Sequence, residues 1–372
     1  MTLLNFSGAE SGNIGEFDSK NANVNTANAI STSHPRSGTY CLNLNSTITA
    51  ACWALLSCSS GSPRAVRFGF YVATLPTGGN EEICGWDSAT QQEGDLQIGT
   101  DGILRLYARD GTTVRATGTA VLVTGRWYCI EIMVTNTANT SKTVQVRVNG
   151  ATDIADTLTT ETTANVIDFF FGVGTIKHAS TYDYYYDDMA VGDDWIGDGK
   201  CAVVTGKTGA PTYDNWTKSS GTTAFNLWSE IPFNVTNQCI SPSGTSNAQT
   251  ELLAATSTIV GSNSIVNAVK VGMVAKLSAG TARTYAIRFR YSAADHDTTR
   301  VVTTSDAYWQ TAVVTGLSLA TLDAAEIGGV RSGTTSGAQF QIEDIWMFVD
   351  YIPHYADPAA SKRKSFQHML VR

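Results

Sequence analysis

The stretch Tyr182–Trp195, YDYYYDDMAVGDDW, places five aromatic and five acidic side chains in one run. Residues of these kinds can cleave a glycosidic bond, hold a metal ion or grip a sugar. A retaining glycosidase needs two carboxyl groups about 5–5.5 Å apart. Within one strand that means acids two or four residues apart, because alternate side chains share a face. Asp183 and Asp187 have that spacing, but no third acid extends the pattern. Glu81-Glu82 and Glu343-Asp344 are adjacent pairs whose members face opposite ways. A sugar site needs exposed rings beside acids or amides. Trp53, Trp86, Tyr184 and Tyr186 are the candidate glycan contacts. In Tyr184-Tyr185-Tyr186 alternate rings must face opposite sides of a strand, so one face of that triplet belongs to a core.

Other chemistries lack their residues. There is no Gly-x-Ser-x-Gly nucleophile turn. The five histidines (34, 178, 296, 354 and 368) stand apart, without the spacing of a zinc-binding helix. No Gly-rich phosphate loop is present. These absences make the expectation a chain that is not an enzyme.

Composition narrows the field further. The chain has 372 residues, more than one core usually spans, so two domains are expected. Charged residues make up 16%, against roughly 25% in an average globular protein. Ser, Thr, Asn and Gly take their place, as on turn-rich β-sandwiches. The net charge of −8 and the lack of a basic stripe speak against nucleic acid as a partner. No run approaches the ~18 apolar residues of a membrane-spanning helix, and the N-terminal residues do not read as a secretion leader. The seven cysteines (41, 52, 58, 84, 129, 201 and 239) are odd in number and several lie inside apolar strands. They read as small buried hydrophobes made in a reducing compartment.

The elements that must position these residues are strands. Thr143–Asn149 alternates apolar and polar, and Asn149-Gly150 after it is a hairpin signal. Gly38–Ser46, Ala50–Cys58, Arg64–Leu75, Trp127–Asn136, Val166–Gly174 and Tyr182–Val191 read as further strands, with Asp-Gly turns at 101–102 and 110–111. Turn signals every ~8–12 residues mark an all-β sandwich. Residues 1–195 form the first sandwich in this reading and 196–211 a linker. A second, smaller sandwich covers 212–353, with strands at Phe225–Phe233, Gln249–Ala255, Ser264–Leu277, Arg283–Ser292 and Gln339–Val349. Ser318–Ile327 is the one helix candidate, capped by Ser318. Asp187-Asp188 reads as the point where a core strand meets solvent, and Gly192–Trp195 as a hinge. The tail 354–372 is basic through Lys362, Arg363, Lys364 and Arg372, and is expected to dock on an acidic neighbouring subunit.

In pattern and order the first half resembles the concanavalin A-like (laminin-G/lectin-type) jelly rolls of bacteriophage virion proteins. The residues that carry the likeness are FSGAESG with SGTYCLNL, WYCIEIMV with VQVRVNG, FFFGVG, and the closing YYYDDMAVGD. TYDNW, SIVNAVKVGMVAKL, AAEIGGV and IEDIWMFVDYIP are similar to the domain that follows in such proteins. The resemblance implies a virion structural protein: a head decoration, fibre or tail-associated subunit, made in the bacterial host cytoplasm. Its partners would be other virion subunits and further copies of itself, with no nucleic acid and no membrane insertion. The alternative it implies is a lectin-like adhesion module for host glycans. Lectin-type jelly rolls often bind calcium through loop carboxylates. The resemblance therefore points to Asp187, Asp188, Asp193 and Asp194 as metal ligands; no other cofactor is expected.

Overall fold

The structure is a computed structural model that describes residues 1–45, 51–89, 91–138, 141–159, 164–174, 181–204, 213–214, 216–218, 239–241, 249–254, 264–280, 282–331 and 339–353. The expected strand Phe225–Phe233 and the basic tail lie outside these residues.

Two antiparallel sheets make the first sandwich. One runs Ala151–Thr159, Ser141–Val148, Trp127–Ala138, Arg64–Thr74, Asp183–Gly192, Cys41–Asn45 and Ile30–Ser31, with Leu3–Ser7 also paired to Asp183–Gly192. We call it the docking sheet, because its outer face meets the second domain. The other runs Val114–Val121, Ile103–Ala108, Gln92–Ile98, Glu81–Asp87, Val166–Val173, Cys52–Gly61 and Ser19–Lys20. We call it the cleft sheet. Alternation aims Phe68, Phe70, Tyr184 and Tyr186 from one sheet, and Leu56, Trp86, Phe169 and Phe171 from the other, into a shared core. Tight turns hold the strands in register. At Asn149-Gly150 both residues have positive φ, as a type I′ turn requires.

The second sandwich is smaller, as expected. One of its sheets is built on the 13-residue strands Ile265–Leu277 and Phe340–Ile352. The other includes Gln249–Ala254, Glu326–Arg331, Arg283–Tyr291 and Ala294–Val302. Ser318 caps a helix, but only over Leu319–Asp323. Where the sequence suggested helix up to Ile327, Glu326–Arg331 is a strand paired on both sides. Burial of Ile327 and the adjacent Gly328-Gly329 favour strand there over helix.

Two expectations about the domain boundary are corrected. Residues 200–204 are not linker: Lys200–Val204 is a strand paired with Met347–Tyr351 of the second sandwich. Gly192–Trp195 is not a hinge. Asp193 takes the main-chain N–H of Thr2, and Glu131 takes those of Ile196 (3.0 Å) and Gly197 (2.8 Å). The Arg147 guanidinium stacks 3.6 Å above the Trp195 ring.

The sandwiches meet through a core of their own. Leu3, Phe6, Ala190 and Ile196 pack on Cys201, Val203, Ala268, Val274, Trp346 and Phe348. At its edge the wholly buried Arg67 pairs with the wholly buried Asp350. The Arg67 Nε also donates to the Asp188 carbonyl (2.9 Å), and Asn267 donates to the other Asp350 oxygen (2.8 Å). A register shift between Asp187 and Ala190 bends the strand here, and Asp188 has φ of +51°. Removing one member of a buried ion pair strands the other charge, at about 3–5 kcal/mol. Arg67→Met should therefore lower stability in urea by about that amount, and Arg67→Met/Asp350→Leu should recover most of the loss. A double variant no more stable than the single would show that the pair is not what is lost.

Candidate functional site

Much of the outer face of the cleft sheet is turned away from the second domain, and it carries the site. Alternation decides which side chains reach it. Cys52, Ala54, Leu56, Phe169, Phe171, Cys84 and Trp86 belong to the core, so Trp53, Leu55, Phe170, Gly85 and Asp87 face outward. Phe170 lies opposite both Leu55 and Gly85. Gly85 is required: a Cβ there would sit 2.1 Å from the Phe170 ring. The ring therefore lies flat over the strand. Trp53 stands beside it, ring centroids 6.5 Å apart and tilted by 58°. With Asp87, Ser88, Gln91, Gln92 and Gly174, these rings line a cleft of about 310 Å³. That volume is at the lower end of the range for small-ligand sites.

Behind the cleft lining, hydrogen bonds between side chains of the same sheet hold its polar residues in place. Glu82 accepts from the Gln92 amide (2.7 Å) and the Gly174 N–H (2.7 Å). The Gln97 amide donates to Asp95 (2.8 Å), and Asn80 donates to the Tyr107 hydroxyl (2.6 Å). Next to the rings, Asp87 and Asp168 are direct cross-strand partners. Burial, then the charge of Asp168, then that of Glu93, push the Asp87 carboxyl up to about 6. Burial also raises Asp168; a hydrogen bond from Ser57 works against this, and the charge of Asp18 adds to it. The Asp87 Oδ1 is buried and has no hydrogen-bond partner among the described residues. Directly opposed residues have Cβ atoms about 4.5–5.5 Å apart. The pair thus offers a carboxyl, Asp87, that can hold a proton near neutral pH beside a second carboxyl that burial also raises.

The sequence-based candidates scatter. Trp53 is in the cleft. Trp86, Tyr184 and Tyr186 are wholly buried core residues, with the Tyr186 hydroxyl donating to the Ile83 carbonyl (3.0 Å), so no glycan reaches them. This corrects three of the four expected contacts. The aspartates are not a metal centre either. Asp187 and Asp188 are wholly buried rather than at the solvent boundary. Asp187 accepts main-chain N–H groups of Arg36 (2.7 Å), Ser37 (3.1 Å) and Asp188 (2.7 Å). Asp188 is paired with Arg36 (2.8 Å) and takes the Cys201 N–H (2.6 Å). Asp193 is bound to Thr2, and Asp194 caps the Trp195 N–H (2.8 Å). Their oxygens are already used by cations and amides, so the set does not fit calcium. Among the described residues no three His, Cys, Asp or Glu side chains gather to hold a metal. Lys362, Arg363, Lys364 and Arg372 lie outside those residues. The Asp87–Asp168 pair was missed because it spans two strands. The sequence signals for the cleft were Trp53 and the run that holds it, Ala50–Cys58, apolar on both faces.

No family model matches the chain, and no curated protein matches it. Among solved structures it is similar to an endo-β-1,4-glucuronan lyase from the fungus Trichoderma reesei, at 12% identity and a TM-score of 0.38 over 52% of this chain and 96% of that one. It is similar to the alginate lyase Aly36B at 14% identity and a TM-score of 0.35, covering 51% and 94%. A sialidase from Trypanosoma rangeli is similar at 11% identity and a TM-score of 0.31, covering 42% and 26%. Several of these neighbours are enzymes, and the expectation that the chain is not an enzyme is withdrawn. Likeness at this level lends this chain neither their activities nor their substrates.

The titration of Asp87 is directly measurable. Its folded value lies above its ordinary value of 3.8, so it takes up a proton on folding. The stability this brings is complete below pH 3.8 and lost as pH rises through about 6. Carboxyl-detected NMR should find Asp87 titrating near 6, and Asp168→Asn should lower that midpoint. A midpoint unmoved by Asp168→Asn would separate the two carboxyls.

Proposed function

We propose that the chain binds carbohydrate on the outer face of the cleft sheet. The observation that carries this is the Trp53–Phe170 wall beside fixed carboxyl and amide groups. A pyranose ring has an apolar C–H face and an equatorial rim of hydroxyls. Aromatic rings match the first, and Asp87, Gln91 and Gln92 match the second. The likeness of the sequence to phage virion proteins supports display on a particle. There many weak contacts to a repeated host glycan would add through multivalency.

One observation favours a second reading, in which the bound glycan is also cut. Carboxyls on directly opposed residues can approach the spacing of a retaining glycosidase, with a raised acid to protonate the leaving oxygen. Asp87 would be that acid and Asp168 its partner, which attacks the anomeric carbon; water then releases the sugar.

A glycan array with the whole chain tests binding. Trp53→Ala should lose binding at least tenfold while the melting temperature stays within a few degrees, since Trp53 is only half-buried. An array silent for the parent chain, or binding unchanged in Trp53→Ala, would reject the cleft as a sugar site. Each bound glycan, assayed for new reducing ends, decides the second reading: ends released by the parent and not by Asp87→Asn support cleavage, and none from either rejects it.

A further inference from the structure

A second cavity, lined in part by a buried cation, lies where the two sandwiches meet. It has a volume of about 520 Å³ and is lined from the first domain by Asn5 and Asp18, and from the second by Lys270, Arg300, Tyr308 and Gln310, among others. Lys270 is the unusual member. It sits on Ile265–Leu277, on the face turned to the first domain, and is only 1% exposed. Its ammonium makes one long hydrogen bond, 3.3 Å to Asn5 Oδ1, and lies 5.0 Å over the Phe6 ring. No carboxylate lies within ion-pair distance of it among the described residues. The nearby Glu16 is occupied by the Ser7 hydroxyl (2.8 Å) and the Ser11 N–H, and burial raises its carboxyl toward the neutral form. A buried ammonium has three donor protons, and two of these have no partner among the described residues. Burial pulls the Lys270 ammonium below its ordinary value, as expected for a desolvated cation.

Two other residues of the lining carry unused groups. The Tyr308 hydroxyl and the Gln310 Oε1 are buried atoms with no hydrogen-bond partner among the described residues. Gln310 is held by its other end, donating to the Glu16 carbonyl (2.9 Å). Asp18 is fixed at the rim by the Asn5 amide (2.6 Å) and the Ser57 N–H (2.8 Å). Lys270 and Arg300 bring two positive charges to the lining and Asp18 one negative, which leaves one positive charge to neutralise. A monoanion meets that balance, whereas a phosphate dianion exceeds it and is repelled by Asp18. The spare hydroxyl and amide oxygen call for hydroxyls on the same ligand.

We propose that this inter-domain cavity is a binding site for a carboxylate on a polyhydroxylated frame, of which a sugar acid is the simplest form, with Lys270 holding the carboxylate. The site is separate from the cleft on the first domain and does not depend on that reading. It needs both sandwiches, since neither alone supplies Asn5 and Lys270.

Calorimetric titration of the whole chain with D-galacturonate, D-glucose, acetate and inorganic phosphate tests it. Galacturonate should bind, with glucose, acetate and phosphate at least tenfold weaker. Lys270→Met should abolish galacturonate binding and leave the melting temperature equal or higher, because it removes an unpaired buried charge. Should Lys270→Met not fold, Arg300→Ala, at an exposed position, should weaken binding at least threefold. Acetate or phosphate binding as tightly as galacturonate would overturn the sugar-acid assignment. No binding by the parent chain, or binding unchanged in these variants, would overturn the site. A galacturonate tetramer bound more tightly than the monomer would assign the site to a unit of a polymer, and equal affinity to the free sugar acid.

Discussion

The ion pair between Arg67 and Asp350 is the contact on which the arrangement of the molecule rests. Both side chains are wholly buried, and they come from different sandwiches. Further hydrogen bonds offset part of the cost of holding such charges out of water. The Arg67 Nε donates to the Asp188 carbonyl and Asn267 donates to Asp350, while the Arg67 Nη1 has no partner among the described residues. Apolar burial around Trp346 and Phe348 supplies attraction without direction; the pair supplies register. A small slide of one domain against the other would leave a bare charge in an apolar contact. The same register places Asn5 opposite Lys270 and so shapes the cavity between the domains.

The strand that ends in Asp187-Asp188 serves both ends of this arrangement. Its first half puts Tyr184 and Tyr186 into the core, where they touch Phe68, Phe70 and Phe171. Its bulge then turns the two aspartates away from solvent toward Arg36, Ser37 and Cys201. Acids that suggested a metal site in the sequence are there to order main-chain amides at the domain junction. The candidate site lies on the other sheet, where Gly85 makes room for Phe170 and the cross-strand register brings Asp87 to Asp168.

What alternation and turn chemistry control was legible from the sequence. Thr143–Asn149 and its Asn149-Gly150 turn appear as expected, and so does the split of the tyrosine triplet between core and outer face. These are local patterns, fixed by the two-residue period of a strand. The partners of a buried charge are not local. Nothing near Asp187 in the chain announces Arg36, and nothing near Arg67 announces Asp350. The cleft pair was hidden for the same reason: Asp87 and Asp168 meet only through strand order. Lys270 was the one clue in plain view, a single charge inside the apolar run Val266–Val274.

The claim that the two sandwiches form one cooperative body, locked by a buried pair and a shared apolar core, is tested most directly by differential scanning calorimetry of the whole chain. It predicts a single transition whose calorimetric and van't Hoff enthalpies agree. Two separate transitions, with the second sandwich melting while the first stays folded, would contradict it.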